Sequence, residues 1–196
     1  YIESHYLMNN KARRVGVLGL QGAFQKHLKI INSLGAEAIV IRYKEQIEKC
    51  DGLIIPGGES TTMSRLIDEM DLRESLEKFP GMIFGTCAGA ILLSTNGTDP
   101  LVKSLGRSSV KVKRNAYGRQ VESFVENVDL TFSDKPFKGI FIRAPKLEHL
   151  DSSVEILGHL NGDVVLARSG NNLMATFHPE LTDDFRIHQY FLNHLQ

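Results

Sequence analysis

The chain has 196 residues, 42% hydrophobic and 23% charged, the proportions of one globular domain with a sizeable core. Lys plus Arg equals Asp plus Glu at 23 each, so no global field favours nucleic acid or an anionic membrane surface, and no apolar run approaches the roughly 20 residues of a membrane span. The two cysteines, Cys50 and Cys87, have neither metal-ligand spacing nor a disulfide framework, which points to a reduced, cytoplasmic setting.

Residues 1–10 lack the charged-then-apolar order of a signal peptide and are set aside as an expression-derived or disordered N-terminus, with Met8 a candidate native start. Residues 11–196 are expected to form a single domain. "RVGVLGL" (14–20) reads as a strand, followed by a helix, "FQKHLKIINSLG", that ends on Gly35. "AEAIVIR" (36–42) and "CDGLIIP" (50–56) are the next strands. "STTMSRLIDEM" has Ser60 or Thr61 as N-cap and Met63, Leu66, Ile67 and Met70 at helical spacing. "GMIFG" (81–85) is a strand, and "AGAILLS" opens a helix directly after Cys87. This alternation implies right-handed crossovers and a mostly parallel sheet covered on both faces.

The second half changes character. "SSVKVKR" (108–114), "VESFVENVDLTF" (121–132), "GIFIRAP" (139–145), "VEILGHL" (154–160) and "DVVLARS" (163–169) are strand-like and closely spaced. Asn161-Gly162 supplies a hairpin turn between the last two. "RSSVKVKR" is the most basic stretch, and its alternation fits a strand with one solvated face better than a nucleic-acid patch. "LMATF" (173–177) leads as a strand into "HPE". "DDFRIHQYFLNHL" closes the chain as a helix with Ile187, Phe191, Leu192 and Leu195 on one face. The expected fold is a three-layer α/β/α domain, mostly parallel with antiparallel additions.

Chemistry concentrates at three strand ends. Gly85-Thr86-Cys87-Ala88-Gly89 has the G-x-nucleophile-x-G form, in which a strand turns sharply into a helix and holds the nucleophile at the turn. A thiol there needs a base, and the base needs an orienting partner. Of seven histidines, His27, His188 and His194 fall in amphipathic helices with solvated or packing roles, and His149 and His159 lie near turns without a partner pattern. His178 follows a strand directly, Pro179 ends that strand's ladder, and Glu180 stands two residues on. Such a turn can place a carboxylate behind the far imidazole nitrogen and fix its tautomer. The third strand end is "IIPGGES" (54–60), whose glycines permit positive φ and expose N–H donors for an oxyanion or carboxylate. Cys50 has no glycine elbow and no partnered base, and reads as structural or incidental.

"PGGES", "GTCAG" and "HPE", in that order, resemble the triad-type (class I) glutamine amidotransferases, whose fold is flavodoxin-like. "GVLGLQG" (16–22), "GGESTTM" (57–63), "RNAYGRQ" (114–120), "FIRAP" (141–145) and "FHPELT" (177–182) narrow the likeness to the PdxT-type glutaminase subunits of pyridoxal 5′-phosphate synthases, over nearly the whole chain. "EKFPGMIFGTC" and "STNGTDPLVKSLGRSSV" depart from that pattern without touching a triad position. The resemblance implies that Cys87 attacks the side-chain amide of L-glutamine, with His178 as base and Glu180 orienting it. It further implies that Gly57, Gly58 and Glu59 line the glutamine site, that Arg114, Ile142 and Arg143 complete it, and that Gly58 and the Ala88 N–H serve the oxyanion. Neither cofactor nor metal is implied. Ammonia would pass to a separate PdxS-type synthase subunit in a hetero-oligomeric complex. The alternatives left open are a glutaminase serving another synthase and a non-catalytic partner-binding subunit.

Overall fold

A computed structural model describes residues 11–96, 99–118 and 122–196. The N-terminal segment 1–10, the last two residues of "RNAYGRQ" and the first of "VESFVENVDLTF" lie outside the described residues. The first half alternates as its sequence predicts. β1 (Arg14–Leu18), β2 (Glu37–Ile41), β3 (Gly52–Ile55) and β4 (Met82–Thr86) are short, and β3 and β4 are buried throughout, as apolar runs in a two-sided parallel sheet must be. Between them run α1 (Phe24–Ser33), α2 (Lys44–Ile47), α3 (Ser60–Glu69) and α4 (Arg73–Glu77). α1 stops where Gly35 adopts φ 84° and the Ala36 N–H returns to Ile31 O at 3.2 Å, a glycine-dependent helix terminus. The four-residue α2 and five-residue α4 are too short to carry a periodic signal.

α5 (Ala88–Leu93) follows Cys87 and is buried on every side. The remaining strands are β5 (Lys111–Lys113), β6 (Ser123–Leu130), β7 (Phe137–Ile142), β8 (Lys146–Glu148), β9 (Val154–Leu160), β10 (Asp163–Ser169) and β11 (Asn172–Ala175). The β9–β10 hairpin turns at Asn161 (φ 48°) and Gly162 (φ 86°), with Leu160 opposite Asp163. "SSVKVKR" forms a strand only over Lys111–Lys113, which pairs with β8 in a separate two-stranded ladder. A 3-10 turn at Pro179–Leu181 and α6 (Arg186–Asn193) complete the chain. α6 buries Ile187 and Phe191 as expected, but His188 is buried beside them while Leu192 is half-buried and Leu195 lies beyond the helix.

The main sheet has the order β2-β1-β3-β4-β11-β10-β9-β6-β7. The first five strands are parallel, in the flavodoxin-like 2-1-3-4-5 pattern, and the others antiparallel. One core packs Met63, Ile67, Leu76 and Leu92 from α3, α4 and α5 against one face. The other packs Ile31, Ile187 and Phe191 from α1 and α6, with Phe84 and Phe177, against the opposite face. These are the three layers expected. Among the described residues, no helix is long and apolar enough to cross a membrane.

Candidate active site

Register decides what meets at the crest of the sheet. Gly85 pairs with Ile55 of β3 on one side and Met174 of β11 on the other, so three parallel strands end level. Two residues beyond each level lie Gly57, Cys87 and Thr176, and His178 follows closely. The switch point of the 2-1-3-4-5 order, between β1 and β3, opens at this same end.

Cys87 adopts φ 51° and ψ −107°, a strained conformation for a side-chain-bearing residue, held in part by its N–H bond to Ala175 O at 2.8 Å. The flanking glycines are needed for space. A Cβ on Gly89 would lie 1.9 Å from Ile55 O, and one on Gly85 would lie 2.6 Å from the Gly89 backbone. Cys87 is 8% exposed, and its thiol faces Ile142 O at 3.7 Å.

His178 donates its Nδ1–H to Glu180 Oε1 at 2.7 Å, the direction a carboxylate requires, which leaves Nε2 for the thiol. Burial opposes protonation of this ring. Hydrogen bonding to Cys87 and Glu180, and the charge of both, outweigh it and push His178 up to about 10. Glu180 is enclosed completely, its side chain 0% exposed. The Pro179 turn therefore delivers the imidazole to the cavity and hides the carboxylate behind it, as H-P-E predicts.

A cavity of about 310 Å³ opens onto this pair. Cys87, Ala88 and His178 form its floor, and Gly58, Glu59 and Ser60 form one wall. Arg114, Asn115, Ile142 and Arg143 complete the lining, with Arg114 beside Ser60 and Glu59. Gly57 is not on the surface but beneath it: a Cβ there would meet His178 Cε1 at 2.6 Å and Cys87 Cβ at 3.6 Å. Of the two loop glycines, Gly58 alone has positive φ, 156°. The Ala88 N–H opens α5, where a helix leaves its first donors without intrahelical partners.

Three expectations are refined. Glu59, rather than Ser60 or Thr61, caps α3. Its carboxylate accepts from the Thr61 and Thr62 N–H groups and both hydroxyls, which hold it down to about 2, the Thr61 hydroxyl most strongly. Arg114 is on the wall, but its guanidinium is paired with Asp99 and reaches Ser60 Oγ at 3.4 Å. The Arg143 side chain is 71% exposed and 4.0 Å from Glu122, so this residue meets the cavity at its margin.

Two contacts escaped the sequence reading. Gln21 Oε1 accepts the Glu59 N–H at 2.9 Å, and a Cβ on neighbouring Gly22 would fall 1.8 Å from Gly57 O. The turn after β1 thus buttresses the glycine loop after β3, a long-range contact that only the motif "LGLQG" hinted at. His27 and His188, read as solvated or packing side chains, are both 0% exposed, and His27 Nε2 lies 3.6 Å from Glu180 Oε2. Amphipathic spacing carries no sign of that approach.

The arrangement can perform nucleophilic acyl transfer: a strained thiol, a partnered imidazole and backbone donors around a small polar cavity. Known proteins resemble the chain as a whole. The chain is 48% identical over 185 residues to the pyridoxal 5′-phosphate synthase subunit PdxT of Thermotoga petrophila, covering 91% of this chain and 97% of the relative. It is 46% identical over 183 residues to the PdxT subunit of Geobacillus kaustophilus, covering 92% and 93%. A crystal structure of a glutamine amidotransferase superimposes with a TM-score of 0.85 at 44% identity, over 91% of this chain and 97% of the other. PurLQS from Thermotoga maritima, at 14% identity and a TM-score of 0.65 over 94% and 100%, shares the fold. The model of the SNO glutamine amidotransferase family matches residues 17–196, which includes every strand end described above, and the chain belongs to that family.

Proposed function

We propose that this chain is the glutaminase subunit of a pyridoxal 5′-phosphate synthase, with Cys87, His178 and Glu180 as its catalytic triad. The observation that carries the proposal is the 2.7 Å His178–Glu180 pair set behind a positive-φ cysteine at the floor of a cavity with room for one amino acid.

The reaction follows from these groups. With its proton already held at His178 Nε2, Cys87 Sγ attacks the side-chain amide carbon of L-glutamine. The tetrahedral oxyanion is met by the N–H groups of Ala88 and Gly58. As it collapses, the carbon–nitrogen bond breaks, and His178 delivers the proton to the departing ammonia. Water, deprotonated by the same imidazole, then hydrolyses the glutamyl thioester to glutamate and regenerates the thiol. Glu180 fixes the His178 tautomer and stabilises the imidazolium. Gly57, Gly58 and Glu59 shape the glutamine site together with Arg114, Ile142 and Arg143. Only thiol, imidazole, carboxylate and water take part, without metal or cofactor, in a reduced cytoplasmic setting.

The partner is a PdxS-type synthase subunit that consumes the ammonia. Similarity to PdxT subunits across 91% of the chain supports this assignment over other amidotransferase partners. The test is glutamate release from glutamine by the full chain, with and without the synthase subunit. Cys87→Ser should lower the rate at least ~10³-fold, while Cys50→Ser leaves it unchanged. Cys50 is half-buried, and burial pushes its thiol up to about 11, which suits an inert side chain. Release that survives Cys87→Ser would sink the triad; release that never responds to the synthase subunit would sink the partner.

A further inference from the structure

The proposed triad ends at a carboxylate that is only half used. Glu180 Oε1 accepts from His178, but Oε2 is buried without a hydrogen-bond partner among the described residues. Leaving one oxygen of an enclosed carboxylate unpaired is costly, because the low local dielectric strengthens every missing interaction. His27 Nε2, from α1, approaches it to 3.6 Å. Behind His27, its Nδ1 lies 2.9 Å from His188 Nε2 of α6, and His188 Nδ1 is buried and unpartnered.

Both imidazoles are neutral. Desolvation holds His27 well below its usual range, with the nearby His188 and His178 adding to it, and desolvation lowers His188 to about 3. Each ring therefore carries a single N–H, and the 2.9 Å contact allows two arrangements. In one, His27 Nδ1–H donates to His188. That turns a bare Nε2 lone pair toward the Glu180 carboxylate and strands a buried N–H at His188 Nδ1, two unfavourable outcomes at once. In the other, His188 Nε2–H donates to His27 Nδ1, and His27 Nε2–H points at Glu180 Oε2. The unpartnered atom is then only an acceptor, which costs less to bury than an N–H.

We infer that His27 is a positioning residue, its Nε2–H held in that tautomer by His188 and directed at Glu180 Oε2, so that the carboxylate stays aligned behind His178. The inference rests on the triad reading above. At 3.6 Å the contact is longer than a full hydrogen bond, and it acts through the attraction between an N–H dipole and a carboxylate in a dry enclosure. Thr86 Oγ1, 3.5 Å from His27 Nε2, is the other acceptor within reach of this proton. The titratable groups facing Glu180 are His178 from its own turn and His27 from α1, with His188 of α6 behind His27 and Cys87 beyond His178.

Two measurements on the full chain, in a Cys50→Ser background that leaves Cys87 as the single thiol, test this. Nitrogen-15 NMR of the histidine rings in otherwise unaltered protein should find His27 and His188 both neutral and both protonated at Nε2. Protonation of His27 at Nδ1 would overturn the inference, and this readout does not depend on any His27 variant folding. The second is the pH profile of Cys87 alkylation by iodoacetamide. In His27→Leu the midpoint should rise by about one unit, because a weakened Glu180 supports the His178 imidazolium less well. His27→Gln, which retains a side-chain donor, should restore most of the shift. With glutamine as substrate, kcat should fall in His27→Leu while KM stays within about twofold. A folded His27→Leu protein with an unshifted midpoint removes the positioning role but leaves the triad. Cys87 alkylation that is unchanged in His178→Ala removes both.

Discussion

At Cys87 the chain accepts a φ of 51° because its neighbours leave no other path: Gly89 lies against Ile55 O, and the Cys87 N–H is tied to Ala175 O. The histidines around it have opposite electrostatic situations, with a measurable consequence. His178 is raised to about 10, so between about pH 6.5 and 10 the native state keeps a proton that the unfolded chain releases. Its stabilisation is complete below that window and is lost as pH rises through it. His27 and His188 are lowered, so below about pH 6.5 the unfolded chain takes up protons that the native state refuses, and stability is lost as pH falls. Carboxylates such as Glu59, held down to about 2, add to the acid limb only below about pH 4.5. The urea midpoint should therefore peak near neutrality and fall on both sides. His178→Ala should flatten the alkaline limb, and His188→Phe should reduce the acid limb above pH 4.5.

At the level of elements, the short helix α4, which sequence periodicity misses, is held by a side chain from a distant segment. Arg107 donates to the carbonyls of Leu76, Glu77 and Phe79 at 2.9–3.0 Å, closing the C-terminal end of α4. It also donates to Asn172 Oδ1 at 2.9 Å, and the Asn172 amide returns to Arg107 O at 2.8 Å, which fastens this corner to β11. Nothing near residues 73–77 in the chain announces this helix; its carbonyls are satisfied by a residue thirty positions away. Arg107→Ala should lower stability by about 2 kcal/mol or more, because several carbonyls lose a charged donor together. Urea denaturation measures the loss, and glutamate release per folded molecule should be nearly unchanged, since Arg107 is not on the cavity wall. Glu59 shows the reverse relation. A residue that motif likeness assigned to substrate is also the helix cap, because a carboxylate at that position can accept two N–H groups and two hydroxyls at once.

Across the molecule, the antiparallel extension is what closes the site. β7 is the far edge of the sheet in strand order, yet the His178 N–H donates to Ile140 O at 2.8 Å and Ile142 O faces the Cys87 thiol. The extension must curl back over the parallel half for its last strand to meet the end of β11. Phe177 holds that junction, fully buried with its ring 5.6 Å from Phe137 and 5.3 Å from Phe141. Phe177→Ala should cost about 3–5 kcal/mol. It should also depress kcat in the protein that still folds, since the adjacent His178 turn loses its packing. A denaturation curve paired with glutamine kinetics separates the two effects.

The sequence by itself determined the parallel half and the nucleophile elbow, because apolar runs, glycines and the H-P-E turn act locally. Family resemblance pointed to the loop residues Gly57, Gly58 and Glu59, and the level register of β3, β4 and β11 is what brings that loop beside Cys87 and His178. The tertiary structure alone decided what depends on distant partners. Gln21 buttresses the glycine loop, Asp99 takes up the charge of Arg114, and β7 folds back over the cavity. His27 and His188 meet behind Glu180 although 161 residues separate them. A periodic pattern records which face of a helix is buried, but not which atom on another element awaits it there.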